Sequence, residues 1–470
     1  MSRNGWKAVN AAVIGFSLLK FQCRRAWSEA DRSLEKNCMK ISLLLGAAAL
    51  MAASPLSANP RGDEPIAIPA SIKQGIDFIY VDPQMAEVAK PKQKPRNWLQ
   101  RIFKGREETR GKEPNSVFLG LAGGLERYKT SWGGLPQIKV AAGGPLKAGS
   151  KGRRVEQLRT RLGLPEGGGY DETLLRAVTE YQRVHGLDAD GVAGRSTIAS
   201  LNLGADHYAR RIAINMERAY RLPVTRTFDR YVVVDSGAAE AYLVQGDKVV
   251  ASMRVIVGAP KTNTPMLAVL MQRAKANPYW NVPPDMIQTV TAKRVLNQGV
   301  SYLKNFHYEV LSDWTPAAQV VDPKTVNWKQ VAAGKSNIRV RQLPGPWNSM
   351  GEMKFEMPND YGIYLHDTPT KEVFDSKDRW LSNGCVRLED YRRFASWVYG
   401  GVPQPGPAAE QVLELPKPVP VLMTYLTVML SGTSVQFRPD PYGFDALAMP
   451  QMFAATRSAG LEPMEKGAQS

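Results

Sequence analysis

Cysteine is scarce in this chain, with three among 470 residues (Cys23, Cys38 and Cys385), and histidine is nearly as scarce, with four. So few thiols leave no disulfide framework to staple the fold. No Cys/His pair stands at metal-ligand spacing, so no metal site is expected. A membrane-spanning run is missing as well: the apolar stretch at 41–53 has thirteen residues, where a spanning helix needs about 20. The balance is basic, with a formal net charge of +17. That excess suits an anionic partner such as nucleic acid, a membrane surface or the cell-wall polymer. No Lys/Arg run is interleaved with aromatics, which argues against nucleic acid.

The short apolar run has a clear context. Lys40 precedes it and Ser54-Pro-Leu-Ser-Ala58 follows it with small residues, the pattern of a signal peptide. The pattern begins naturally at Met39. Residues 1–38 then read either as a long n-region or as an unused upstream start, and a retained anchor is the competing reading of the whole leader. Cleavage near Ala58 would remove Cys23 and Cys38 and leave Cys385 as the single thiol. A solitary cysteine in an oxidising compartment is a candidate nucleophile.

What surrounds Cys385 strengthens that reading. The thiol lies in a tight turn, Ser382-Asn383-Gly384-Cys385, nineteen positions after His366. Leu388, Tyr391, Phe394, Ala395 and Val398 recur at helical spacing just beyond it, so the turn feeds a helix. A thiol attacks as its thiolate, and a histidine base, a helix N-terminus and Arg387 are three means of raising that fraction. Gly384 permits close backbone approach, and the N–H groups around Gly384 and Cys385 are candidates for an oxyanion hole. The plainer alternative is a buried small hydrophobe at Cys385 and a satisfied core histidine at His366.

A resemblance bears on the choice. His366, then Ser382-Asn383-Gly384-Cys385-Val386-Arg387, resembles the signature of the L,D-transpeptidase (YkuD-type) catalytic domain. His366-Asp-Thr-Pro369, Asn277-Pro-Tyr-Trp-Asn-Val-Pro-Pro284 and the block from Leu343-Pro-Gly-Pro-Trp-Asn to Pro358-Asn359 are similar to the large multi-domain L,D-transpeptidases of Gram-negative envelopes. One departure is Asn383, where most relatives have histidine. The resemblance implies an α+β multi-domain protein with a β-sandwich catalytic domain, a helical cap insertion, a three-helix peptidoglycan-binding module and a helical scaffold. It implies export to the periplasm, peptidoglycan stem peptides and glycan strands as partners, room for other cell-wall synthesis enzymes, and no cofactor.

Along the chain, 1–58 is read as the leader and 59–115, rich in proline and charge, as a linker. Segments 116–142 and 205–227 are expected to form the helical scaffold. Residues 143–204 carry helical patterns on Val155, Leu158 and Leu162, on Leu174, Val178, Tyr181 and Gln182, and over 196–201. With the turn at Gly186-Leu-Asp-Ala-Asp-Gly-Val-Ala-Gly194 they resemble a peptidoglycan-binding domain of type 1, acting either as a ligand site or as a spacer. His185 in this unit is expected at the surface. Residues 228–445 are assigned to the catalytic domain: strands from Asp229 onward, a cap insertion at 285–343 with a helix over 288–303 and irregular chain over 314–337, and a buried strand over 418–430 paired with 435–443. His307 and His207 are expected to be solvent residues. Residues 446–470 read as a patternless tail.

In the chemistry implied, His366 takes the Cys385 proton, Asp367 fixes the imidazole tautomer through its carbonyl or side chain, and the thiolate attacks a stem carbonyl. Arg387 either grips a substrate carboxylate or packs against the sheet. Ser382 and Asn383 are candidates to orient His366 or substrate. Tyr279, Trp280 and Trp347 line the cleft or serve the core. An L,D-carboxypeptidase and a non-catalytic wall-binding scaffold are the alternatives.

Overall fold

Apolar alternation from Tyr231 onward builds the central sheet. In the computed structural model, which describes residues 76–89, 114–224, 227–246 and 248–458, Val232 and Val234 point inward from the first long strand while Tyr231 and Val233 are half-exposed. The leader, most of the 59–115 segment and residues 459–470 lie outside the described residues. The strands are β1 (Tyr80–Val81), β2 (Arg230–Asp235), β3 (Glu240–Gln245), β4 (Lys248–Gly258), β5 (Leu267–Ala276), β6 (Trp280–Asn281), β7 (Tyr308–Leu311), β8 (Arg339–Gln342), β9 (Met353–Glu356), β10 (Leu365–His366), β11 (Trp380–Ser382), β12 (Val386–Leu388), β13 (Gln411–Thr424), β14 (Val428–Ser431) and β15 (Ser434–Phe437).

The main sheet runs β1-β5-β13-β2-β3-β4-β12-β10-β9, with β11 on β4. It then closes on itself, because β9 also pairs antiparallel with β5, Arg273 opposite Glu356 and Ala276 opposite Met353. The sandwich expected from the sequence is therefore one curled sheet whose two faces share edges, an arrangement that strand twist favours when a sheet has many strands. Val232, Val255, Val269, Met271, Phe355 and Val421 fill its interior. The helix Tyr391–Tyr399 packs Phe394 and Val398 onto this core, with the Phe394 and Phe355 rings edge to face at 4.8 Å. Asp390 caps that helix by accepting from the Arg393 N–H at 2.9 Å.

Three parts of the chain depart from the sequence reading. Within the segment taken as a linker, β1 adds to β5 and Ile76 and Met85 are buried, because the apolar residues there find an open strand edge. Within the segment taken as a tail, the helix Phe444–Ser458 continues the fold. Its Asp445 is buried, accepting from Arg218 at 2.6 Å, Arg211 at 2.9 Å and Thr427 at 2.6 Å. The strand expected over 418–430 ends at Thr424, and β14 pairs with β15 in a separate hairpin. That hairpin serves the scaffold: Val428, Val435 and Phe437 bury against Leu121 and Tyr128 of the helix Ser116–Tyr128 and Ile212 of the helix Ala205–Ala219.

The helices Arg153–Arg161, Glu172–Val184 and Arg195–Leu203 enclose Val155, Leu158, Leu174, Val178, Tyr181 and Leu201. Gln182 holds the following turn, accepting from the Gly191 N–H and donating to the Val192 carbonyl, each at 2.9 Å. His185, expected at the surface, is buried at the seam between these helices and the scaffold. It bonds the Tyr128 hydroxyl at 2.9 Å and the Tyr181 carbonyl at 2.8 Å and stacks on Tyr181. The ring is flat enough to fill an aromatic seam while both nitrogens find partners.

The insertion has its own core of Val282, Ile287, Val295, Trp328, Val331 and Val340, and its own sheet, β6-β8-β7. The helix expected over 288–303 is broken at Gly299, where φ is +77° and only glycine sits without strain. The stretch expected to be irregular carries the helix Trp328–Ala332, with Trp328 and Val331 buried.

Asp445 gives a direct test of what holds the C-terminal helix. The Arg218 side chain is fully buried, so Asp445→Asn removes the negative charge that faces a buried cation and is expected to cost about 3 kcal/mol in urea unfolding. Glu126→Gln, which breaks the exposed pair with Lys129, is expected to cost less than about 0.5 kcal/mol. Equal effects from the two would refute the assignment.

Candidate active site

The short strand β10 places His366 between two neighbours. On one side β12 runs parallel and sets Arg387 opposite His366; on the other β9 runs antiparallel and sets Lys354 opposite it. Side chains at facing positions share one side of a sheet. The imidazole is thus the middle member of a Lys354–His366–Arg387 row. Burial, and then the Arg387 charge, push its pKa down to about 3, with Lys354 adding to the effect and the Asp367 and Met350 carbonyls opposing it. The ring is neutral at physiological pH.

Its tautomer is set by the backbone. Nδ1 lies 2.5 Å from the Asp367 carbonyl, which can only accept, so Nδ1 carries the proton and Nε2 is left as the base. The Asp367 side chain does not face His366. It accepts from the Glu352 N–H at 2.9 Å and from Lys371 Nζ at 2.6 Å. Gly351, at φ +62°, makes this possible, since a side chain there would collide with the Asp367 carboxylate. Of the two routes open in the sequence, the carbonyl is the one used, and the carboxylate fixes the segment that presents it.

The turn carrying Cys385 is braced from beneath. The Ser382 hydroxyl donates to the Cys385 carbonyl at 2.6 Å. The Ser382 carbonyl accepts from the Ala259 N–H and the Thr262 hydroxyl, and the Gly384 carbonyl accepts from the Thr264 hydroxyl at 2.7 Å. Gly384 adopts φ +114°, a conformation open to glycine. Its N–H donates to Ser382 Oγ at 3.1 Å, so in this conformation that amide belongs to the turn and is not presented as an oxyanion donor. The Cys385 thiol lies 3.6 Å from the Gly362 carbonyl.

Cys385, His366, Ser382, Asn383, Gly384, Arg387 and Trp280 all line one cavity of about 470 Å³. Asn383 does not hydrogen-bond His366; its amide donates to Met286 Sδ of the insertion at 2.9 Å. Arg387 has a buried Nε without a hydrogen-bond partner among the described residues. Trp347 and Tyr279 lie outside the cavity lining. Trp347 is drawn away by stacking on His307 at 3.6 Å, and Tyr279 sits under Arg341 at 3.9 Å. His307, expected in solvent, is therefore half-buried, at φ +58°. His207 is half-buried too, and burial lowers its pKa. Sequence reasoning missed Lys261, Asn263, Asp285 and Met286, which also line the cavity. Asp285 and Met286 directly follow the Asn277–Pro284 block, a usable signal. Lys261 and Asn263 carry none, because only the pairing of β4 with β11 and β12 brings their loop to the turn.

Among the described residues no group of three His, Cys, Asp or Glu is arranged to hold a metal ion, and no helix is long and apolar enough to cross a membrane.

The buried neutral imidazole has a consequence for stability. The pKa of His366 in the fold, about 3, lies below its ordinary value of 6.5. Protonation therefore favours the unfolded chain, and the contribution of His366 is complete above pH 6.5 and lost as pH falls toward about 3. The difference in unfolding free energy between the wild type and His366→Gln is expected to shrink steadily over that window. A constant difference would contradict a neutral buried ring.

Comparison with known proteins agrees with the geometry. The YkuD family, the L,D-transpeptidase catalytic domain, matches residues 229–421, and the family described as "Putative peptidoglycan binding domain" matches residues 155–201. A Haemophilus influenzae protein named "Putative L,D-transpeptidase" is 29% identical over 264 residues, 53% of this chain and 52% of the relative. The chain thus spans about half the length of that curated relative. Among solved structures, an L,D-transpeptidase from Mycobacterium smegmatis is 15% identical, covering 42% of this chain and 58% of that one, with a TM-score of 0.21. An L,D-transpeptidase from Stackebrandtia nassauensis is 14% identical, covering 61% of this chain and 95% of that one, with a TM-score of 0.19. The chain therefore carries a YkuD-type L,D-transpeptidase catalytic domain over 229–421, within which the residues lining the Cys385/His366 cavity all fall, and a peptidoglycan-binding module over 155–201.

Proposed function

We propose that the protein forms 3→3 cross-links in peptidoglycan by two-step acyl transfer through a Cys385 thioester, in the periplasm and after export by its N-terminal signal. The observation that carries this is the cavity in which a thiol and a neutral histidine, protonated on Nδ1, lie together. A neutral Nε2 can accept the thiol proton, so the thiolate is generated when substrate is in place. The thiolate attacks the carbonyl of the L-centre of the diamino acid in a tetrapeptide stem, and terminal D-alanine departs with the proton held by His366. A side-chain amine of a second stem then attacks the thioester, the C–N bond forms, the C–S bond breaks, and Cys385 is regenerated.

Arg387 suits the donor's carboxylate. Its buried Nε lacks a partner among the described residues, and an arginine fork pairs well with a carboxylate. The charge row gives it a second effect, since the same cation that holds His366 neutral also stabilises a thiolate at Cys385. The peptidoglycan-binding module is assigned the polymer, keeping the catalytic domain close to its stems. An L,D-carboxypeptidase differs only in the second nucleophile, water in place of the amine.

Full-length protein incubated with purified disaccharide-tetrapeptide and read by mass spectrometry tests the proposal. The wild type is expected to give a dimer that Cys385→Ala does not. Tripeptide without dimer would assign hydrolysis instead. A dimer formed equally by Cys385→Ala would remove the cysteine from the chemistry.

A further inference from the structure

The charges around the cavity are unevenly divided. Lys261, in the loop after β4, and Arg387, on β12, are the cations among the described residues that line it, and both suit a donor that carries carboxylates. Asp285 is the single carboxylate among the described residues that line it. It stands on the insertion, in the short helix Pro284–Met286, one residue from the Met286 that Asn383 touches. Its backbone carbonyl accepts from the Thr289 hydroxyl at 2.7 Å, and its side chain is exposed and makes no hydrogen bond or ion pair among the described residues. Trp280 and Pro283 flank it in the lining, and such apolar neighbours strengthen a charge's reach compared with open water.

Resting on the cross-linking reading above, we propose that Asp285 recognises the acceptor: its carboxylate draws the ammonium of the second stem into the cavity and so tips the Cys385 thioester toward aminolysis and away from hydrolysis. The acceptor class is a primary amine that is cationic at neutral pH. Water carries no charge and gains nothing from Asp285, so the residue acts on the partition between the two nucleophiles. The step balances as follows. The ammonium releases one proton to solvent. Its nitrogen attacks the thioester carbonyl and hands a second proton to Nε2 of His366. The C–S bond breaks, and the thiolate takes that proton back from the imidazolium. Thioester and ammonium become amide, free thiol and one released proton, with no oxidant or metal.

The test compares full-length wild type, Asp285→Asn and Asp285→Glu on disaccharide-tetrapeptide, reading the dimer-to-tripeptide ratio by mass spectrometry. The ratio is expected to fall about fivefold in Asp285→Asn, near the upper end of what one exposed ion pair supplies, and to recover in Asp285→Glu. Added salt is expected to lower the wild-type ratio toward that of Asp285→Asn. A parallel arm uses hydroxylamine, a nucleophile largely uncharged at neutral pH, whose hydroxamate-to-tripeptide ratio is expected to be the same in wild type and Asp285→Asn. A dimer ratio in Asp285→Asn equal to that of the wild type overturns the proposal. So does a parallel fall with hydroxylamine, which would make Asp285 a structural support of the cap. Absence of a thioester mass in the wild type would instead overturn the cross-linking reading itself.

Discussion

The pairing of β9 with β5 is the contact on which the catalytic arrangement depends. Without it the main sheet would end at β9, an edge strand carrying Lys354 in water. With it, β9 is held on both sides, β10 is held between β9 and β12, and a two-residue strand becomes rigid enough to present an imidazole. The Arg273–Glu356 pair, at 2.8 Å, lies on this seam. Backbone hydrogen bonds fix the row of Lys354, His366 and Arg387 by register, so the electrostatics of the base follow from topology. Burial first, and then the two cations beside it, keep the ring neutral, and a neutral ring is the form that can accept a proton.

A second constraint ties distant parts of the chain together. Asp445, near the C-terminal end of the described residues, sits between Arg211 and Arg218 of a scaffold helix and bonds Thr427 just before β14. Asn215 of the same helix accepts from the Thr427 N–H at 2.7 Å. The scaffold is therefore assembled from segments on both sides of the catalytic domain in sequence. Tyr442, from the same C-terminal region, donates to the Gly258 carbonyl at 2.8 Å, next to the loop that braces the Cys385 turn. The scaffold and the Cys385 turn share a short line of hydrogen bonds.

The parts of this architecture that are local in sequence were legible there. The turn at Cys385, the following helix and the three helices of the binding module are each written in adjacent residues, through spacing, caps and glycine positions. His366 and Cys385 were legible as a pair because scarcity made both conspicuous. What stayed hidden depends on contacts between distant residues. Closure of the sheet joins residues about 80 positions apart, and no periodicity encodes it. The Gly384 amide was read as a free donor because its partner, Ser382 Oγ, depends on a rotamer. Trp347 was read into the cleft because an aromatic in a matching block looks like lining, whereas a histidine forty positions upstream claims its face. The buried seam around His185 joins three segments that sequence shows only separately. The helix at 444–458 has too weak an apolar pattern to announce itself, and its anchor is one carboxylate.

The insertion leaves and rejoins the catalytic domain through β6 and β8, which lie side by side, Trp280 opposite Gln342 and Asn281 opposite Arg341. Its core is its own, and Asn348, fully buried, clamps the junction through the carbonyls of Pro278, Gln342 and Leu343. Topologically it is an excursion from one point on the ring. Such a segment can be lengthened, shortened or exchanged while every strand of the ring keeps its register. The fold thereby separates two tasks: the ring holds Cys385 and His366 in place, and the insertion supplies Asp285 and Met286 to the wall of the same cavity.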